Sequence, residues 1–212
     1  MKCFSLFCLA LLGLQSAYGG ADVSKSLTTV ALQPGPFDKG MHEIDITGGF
    51  LYSPVIAKGN RPILNYGQGD VSLGWMLTSP SAEGRWNCLR GNWEALVNVF
   101  GAGVTHGPGG FLAGSRVLLR YNFVQPESKW APFFQIGAGG LGDNVYNHQD
   151  QTVIGSGFEF TLVTDAGVRY FITPKTACLF MLDFEHISNA GTACRNLGIN
   201  AAGATLGVSC FF

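Results

Sequence analysis

The sequence predicts an all-β protein, an eight-stranded antiparallel β-barrel that spans a membrane. Charged residues make up only 13% of the 212 residues, about half the share that is usual in a soluble domain. Beyond the N-terminal segment, no apolar run approaches the ~20 residues that a membrane helix needs. Eight segments instead alternate between apolar and polar side chains. A closed barrel is the other structure that satisfies its backbone hydrogen bonds in lipid.

The two ends of the chain are typical of an exported protein. The first residues, MKCFSLFCLALLGLQSAYG, combine a basic residue, an apolar stretch and a small-x-small cleavage site, as a secretory signal peptide does. We assign residues 1–19 to this peptide and residues 20–212 to one domain, whose strands begin near residue 42. The terminal Phe212 resembles the C-terminal signature of bacterial outer-membrane proteins. The predicted location is therefore the bacterial outer membrane.

The alternating segments are each long enough to cross a bilayer as a tilted strand. They are 44–52, 70–78, 92–103, 111–123, 132–140, 157–172, 177–188 and 199–212. In the clearest of them, Phe158 and Phe160 face one way while Glu159 and Thr161 face the other. In a membrane barrel the apolar face contacts lipid, and the polar face fills a small lumen where acidic and basic side chains pair.

The connections between these segments alternate in length, as they do in outer-membrane barrels. An even strand number returns both termini to the periplasm, so the tight connections at 125–129 and 173–176 are predicted periplasmic turns. The predicted external connections are 53–69, 141–156 and 189–198. The connection at 80–91 is longer than a periplasmic turn usually is.

Polar side chains of the last predicted hairpin form the candidate site. His186 lies two residues before Ser188, so both project from one face of the seventh strand. Asn200 lies on the same face of the eighth strand, and all three point toward lipid at the external end. Polar groups on a surface that faces lipid are energetically costly, so a cluster of them suggests a function. A serine with a histidine beside it is the smallest set of residues that supports nucleophilic acyl transfer. An interfacial polar patch without chemistry is the alternative, and the shared face favours catalysis.

The stretch HISNAGTACRNLGIN, residues 186–200, resembles the signature of the PagL-type lipid A 3-O-deacylases, which are eight-stranded outer-membrane barrels. The resemblance implies that Ser188 is the nucleophile and His186 its general base. It also implies that backbone N–H groups around Ala190 and Gly191 are the oxyanion donors, with Asn189 and Asn196 as supporting polar residues. The implied substrate is lipid A of lipopolysaccharide in the outer leaflet, which would lose an ester-linked 3-hydroxyacyl chain. Ester cleavage by serine and histidine needs no metal or other cofactor.

The sequence departs from that family at Asn200, where the well-studied members carry Glu. A carboxylate holds the imidazole tautomer and stabilises the imidazolium, whereas Asn can only hold the tautomer. The departure therefore concerns the rate more than the reaction type. Glu185 is no substitute, because its odd number turns it toward the lumen.

Other patterns in the sequence point to weaker hypotheses. Gly137 to Gly142 spell G-x-G-x-x-G, but no helix follows them as a dinucleotide site requires. Asp143, His148 and Asp150 lack the spacing of a metal site and fit a solvated loop. With a net charge of −1 and no clustered basic face, the chain should not bind nucleic acid. A non-catalytic small barrel with a binding or structural role is the alternative function, and both a monomer and a homodimer fit the sequence.

Two cysteines fall in the last hairpin. If Ser188 lies opposite Asn200, Cys178 lies opposite Cys210. Directly opposed residues have Cα atoms ~4.5–5.5 Å apart, within the range of a disulfide, and export makes oxidation available. Two free thiols are the nearly equal alternative, because a slip in register would separate the pair.

Overall fold

A computed structural model describes residues 35–53, 63–81 and 84–212 of the chain. These residues form one closed barrel of eight antiparallel strands, in which sequence neighbours pair and the first strand pairs with the last. The strands are β1 His42–Tyr52, β2 Asn65–Met76, β3 Gly91–His106, β4 Phe111–Phe123, β5 Trp130–Asp143, β6 Phe158–Thr173, β7 Thr176–Ser188 and β8 Ile199–Phe211. The predicted barrel is confirmed. The predicted signal peptide, residues 1–19, lies outside the described residues.

The strand boundaries follow the predicted alternation closely, and β2 differs most. It begins at Asn65 rather than residue 70, because Tyr66 and Gln68 continue the inward-facing series between glycines that obscure the pattern. The long connection before β3 contains a short 3₁₀-helix, Gly84–Leu89. Across the described ranges, we find no helix whose length and apolar character would suffice to cross a membrane.

The middle of the barrel interior is filled by ion pairs. Two fully buried arginines, Arg120 and Arg169, bind a group of carboxylates that consists of Glu43, Asp45 and Glu94. Nearer the external end, Arg116 donates to Glu185 at 2.6 Å. Buried charges are tolerated when they are paired and hydrogen-bonded, so these contacts explain how a polar interior fits inside the barrel.

Apolar clusters lie at both ends of this polar interior. The external cluster includes Tyr66, Leu112, Ile154 and Ile187, and the opposite cluster consists of Phe37, Met76, Ala131 and Phe211. The outer face of every strand exposes large apolar side chains, and aromatic pairs such as Trp93 with Tyr121 lie near the strand ends. An apolar band with aromatic residues at its edge is the exterior expected of a membrane barrel.

The register of the last hairpin differs from the predicted one. His186, not Ser188, lies opposite Asn200. Cys178 therefore lies opposite Val208, Cys210 lies opposite Thr176, and both thiols are free. The predicted register and the predicted disulfide are wrong. A shift of two residues keeps every side chain on its face of the sheet, so alternation alone cannot distinguish the two registers.

Candidate active site

The last hairpin brings His186, Ser188 and Asn200 together at the external end of the barrel's outer face. His186 lies near the end of β7, opposite Asn200 on β8, and Ser188 is the last residue of β7. Glu185 and Ile187, the two neighbours of His186 along β7, are buried in the interior. The outward direction of the three polar side chains thus follows from the alternation of the strands.

The imidazole of His186 contacts both other polar side chains. Its Nε2 lies 3.1 Å from Ser188 Oγ, and its Nδ1 lies 2.7 Å from Asn200 Oδ1. A carbonyl oxygen only accepts hydrogen bonds, so the contact with Asn200 places the ring proton on Nδ1. The lone pair of Nε2 is then free to accept the serine proton. This is the geometry of a serine nucleophile beside a general base that a third residue orients.

The connection after Ser188 turns through two residues in the left-handed region. Ala190 has a φ of 53° and Gly191 a φ of 83°, and such a value is uncommon for a residue with a side chain. The N–H of Gly191 donates to Asn189 Oδ1 at 3.0 Å. Within the described ranges, the N–H of Ala190 has no acceptor. Of the two implied oxyanion donors, Ala190 is therefore the one that remains available.

Asn196 belongs to the same connection, and within the described part of the chain only the oxygen of its side-chain amide forms a hydrogen bond. Its Oδ1 accepts the N–H of Asn189 at 3.0 Å, and its Nδ2 has no acceptor among the residues that the structure describes. Asn189 is buried, and its side chain donates to the carbonyl of Arg195 at 2.9 Å. Asn196 thus presents a free donor, whereas the Asn189 side chain holds the connection in shape.

A family model described as lipid A 3-O-deacylase (PagL) matches residues 53–209, which include the whole candidate site. The chain belongs to the PagL family. Its membership makes the protein a hydrolase of the lipid A deacylase class, and an outer-membrane barrel. Among curated proteins, none matches the chain significantly.

Several solved structures are similar to this PagL-family chain. Neisserial surface protein A is 14% identical, with a TM-score of 0.56, and the match covers 82% of this chain and 98% of that one. The outer-membrane enzyme PagL is 16% identical, with a TM-score of 0.46 and coverages of 78% and 97%. The N-terminal barrel domain of Pseudomonas aeruginosa OprF is 16% identical, with a TM-score of 0.48 and coverages of 82% and 98%. The similarity to the Neisserial protein shows the fold.

Glu185 occupies the interior side of the barrel wall, directly beneath the PagL-type motif. It accepts hydrogen bonds from Arg116 and from Thr161 at 2.6 Å, and from the Tyr66 hydroxyl at 2.9 Å. As the alternation predicts, it cannot reach His186. Its role is to fix the end of β7 to the opposite side of the barrel.

Gly198 has a role that the sequence did not reveal, although it belongs to the PagL-type motif. Its φ is 68°, and a Cβ atom there would lie 3.0 Å from the Ile187 carbonyl oxygen and 3.2 Å from His186 Cε1. A side chain at this position would therefore strain the backbone and crowd the imidazole. The clue in the sequence is the glycine itself, two residues before Asn200.

The other sequence patterns do not form sites in the described residues. Gly137 to Gly142 lie within β5, and only a three-residue 3₁₀-helix, Val145–Asn147, follows them in place of the α-helix that a dinucleotide site requires. Asp143 accepts the N–H of Tyr146 at 3.1 Å and so shapes the following loop. Across the described ranges, no three His, Cys, Asp or Glu side chains are grouped as a metal site requires.

Proposed function

We propose that this PagL-family barrel hydrolyses an ester-linked 3-hydroxyacyl chain of lipid A by a serine–histidine mechanism. Ser188 is the nucleophile, His186 the general base, and Asn200 the residue that orients the imidazole. The observation that carries the proposal is the imidazole itself, hydrogen-bonded to Ser188 on one side and to Asn200 on the other. Such a unit has no evident structural purpose on a surface that faces lipid.

The reaction begins when Ser188 Oγ attacks the ester carbonyl carbon and its proton passes to His186 Nε2. The carbonyl oxygen becomes an oxyanion, which the N–H of Ala190 and the Nδ2 of Asn196 stabilise. The tetrahedral intermediate collapses, the C–O bond to the sugar breaks, and the imidazolium returns the proton to the departing sugar oxygen. Water then hydrolyses the acyl-serine by the same steps in the second half-reaction.

The position of the site suits a membrane substrate. It lies on the outer face at the external rim, where the ester groups of outer-leaflet lipids are found. Phe160 lies opposite Ser188 and Leu162 opposite His186, and both are exposed. An acyl chain can therefore stay in an apolar environment while its ester meets the nucleophile. The substrate does not have to leave the membrane, and the chemistry requires no cofactor.

Mass spectrometry of lipid A from cells that express the chain tests this function. The wild-type protein should yield lipid A that lacks one hydroxyacyl chain, and Ser188→Ala should leave lipid A intact. Ser128→Ala, which changes a serine in a periplasmic turn, is the matched control and should behave as the wild type. Intact lipid A in the presence of folded wild-type barrel would favour the alternative, a non-catalytic barrel with a binding or structural role.

A further inference from the structure

Arg195, in the connection after β7, contacts a neighbouring external segment that the mechanism does not use. Its Nη2 donates to the carbonyl of Tyr146 at 2.7 Å, and its Nη1 donates to those of His148 at 2.8 Å and Gln151 at 3.3 Å. Three carbonyl groups of the segment between β5 and β6 thus converge on one guanidinium. The side chain fastens this segment to the connection that follows Ser188.

The backbone of Arg195 continues this linkage toward the reacting groups. Its carbonyl accepts the Asn189 side-chain amide at 2.9 Å. Asn189 in turn accepts the N–H of Gly191 at 3.0 Å, and its own N–H donates to Asn196 at 3.0 Å. An uninterrupted series of contacts therefore runs from the neighbouring segment to Asn196 and to the turn that contains Ala190, the two proposed oxyanion donors.

The segment between β5 and β6 also has hydrogen bonds of its own. The Gln151 side chain accepts from the N–H groups of Val153 at 2.8 Å and Ile154 at 3.0 Å. Two backbone hydrogen bonds then join the segments, from Leu197 to Thr152 at 3.2 Å and from Gly198 to Val153 at 3.0 Å. The neighbouring segment can thus serve as a rigid support for the active-site connection.

We propose that Arg195 is a positioning residue for deacylation, one that fixes the oxyanion donors through Asn189 and Asn196. This inference rests on the proposed function. An arginine beside a lipid A site invites assignment to the phosphate groups of the substrate. Here its donors already point to backbone carbonyls of its own chain, in the forked geometry that a lysine cannot reproduce. Its effect is therefore on the turnover step rather than on substrate binding.

Loss of the guanidinium should lower kcat and leave KM nearly unchanged. Removal of one oxyanion donor lowers kcat by about 10²–10³-fold. Displacement of donors that remain present should cost less, about 10–100-fold in kcat, with KM within about twofold of wild type. Because the phosphates are not involved, the loss should be the same on lipid A and on dephosphorylated lipid A.

The experiment compares Arg195→Ala, Arg195→Lys and the neighbouring control Cys194→Ala, each as the full-length barrel in detergent micelles. Both Arg195 variants should lose kcat on both substrates, and Cys194→Ala should match the wild type. Added guanidinium chloride at millimolar concentration should partly restore Arg195→Ala, whereas methylammonium should not. Folding is followed by the heat-dependent shift of the barrel on gels, and Arg195→Lys keeps the comparison informative if Arg195→Ala does not fold.

Two results would overturn the inference. A rise in KM with unchanged kcat, confined to phosphorylated lipid A, would show that Arg195 binds substrate phosphate. Wild-type kinetics in both variants would show that the contacts to the neighbouring segment are dispensable. Neither result bears on the proposed function, which fails separately if Ser188→Ala retains activity.

Discussion

The neutral third residue of the proposed triad of Ser188, His186 and Asn200 is the feature whose effect on rate is most readily tested. Asn200 Oδ1 lies 2.7 Å from His186 Nδ1, and Asn200 is exposed at the outer face. Asn200→Asp replaces the amide by a carboxylate of the same length, so the geometry is kept while a charge is added. The imidazole is neutral before the reaction and cationic in the transition state. A carboxylate at this position should therefore stabilise the transition state selectively.

The magnitude follows from the separation of the two charge centres, which is larger than the 2.7 Å between the hydrogen-bonded atoms. Unit charges about 4 Å apart attract by about 4 kcal/mol at an effective dielectric constant of ~20. Exposure to water and headgroups reduces the useful part to at most about 1 kcal/mol. Because about 1.4 kcal/mol corresponds to a tenfold change in rate, Asn200→Asp should raise kcat by up to about fivefold. Asn200→Ala removes the acceptor that holds the tautomer and should lower kcat about tenfold.

The assay measures initial rates of fatty-acid release from lipid A in detergent micelles. Asn200→Gln and Asn200→Glu form a second matched pair, because both side chains are longer by one methylene and differ only in charge. The ratio of kcat for Asn200→Glu to kcat for Asn200→Gln should exceed one, and so should the ratio for Asn200→Asp to the wild type. Agreement of the two ratios separates the effect of charge from that of side-chain length.

The reasoning is refuted if neither carboxylate variant exceeds its amide partner. It is also refuted if Asn200→Ala turns over at the wild-type rate, since the contact with His186 would then serve no catalytic purpose. A barrel that still shows the heat-dependent gel shift is required for every variant, so that a fall in rate cannot be attributed to unfolding.

Three further predictions concern the surroundings of the site. Gly198→Ala should crowd the imidazole and lower kcat by up to about 10²-fold in a folded barrel, and unchanged initial rates would contradict the crowding. Glu185→Gln should leave Arg116 without its closest counter-charge and lower the free energy of unfolding by about 3 kcal/mol. Urea titration in lipid vesicles measures this loss, and an unshifted midpoint would show the pair to be dispensable. Thr176→Cys should form a disulfide with Cys210 on oxidation, whereas the wild-type chain should form none; a reductant-sensitive gel shift in the wild type would disprove the register.

Much of the barrel could be predicted from sequence because alternate residues of each strand face a polar interior and an apolar exterior. The segment from Phe158 onward shows this directly, since its inward residues include Glu159 and its outward residues meet lipid. The same alternation predicts that His186, Ser188 and Asn200 share one face of the last hairpin, as they do in the structure. A shift of two residues between β7 and β8 leaves this alternation unchanged. The register of the last hairpin therefore could not be predicted from it.

The support around Ser188 could not be predicted, because its contacts join segments distant in sequence. Arg195 binds carbonyl groups of residues more than 40 positions earlier. Every residue has a backbone carbonyl, so the sequence does not show which of them an arginine binds. Gly198 is a different case, since its left-handed φ can be guessed from glycine but its contact with the imidazole needs three dimensions. It is thus easier to identify candidate reacting residues from sequence than to identify the residues proposed to hold them in place.

The ion pairs of the interior link the burial of charged side chains to the order in which the strands assemble. Glu43 and Asp45 lie on the first strand, and their partners Arg120 and Arg169 lie on the fourth and sixth strands. The first strand is synthesised early, yet its carboxylates find these cations only when the sheet curls and the first strand meets the last. A half-formed sheet would carry unpaired charges into lipid. Closure, neutralisation and membrane insertion should therefore occur as one cooperative event, and a chain shortened by its first strand should fail to assemble rather than assemble with reduced stability.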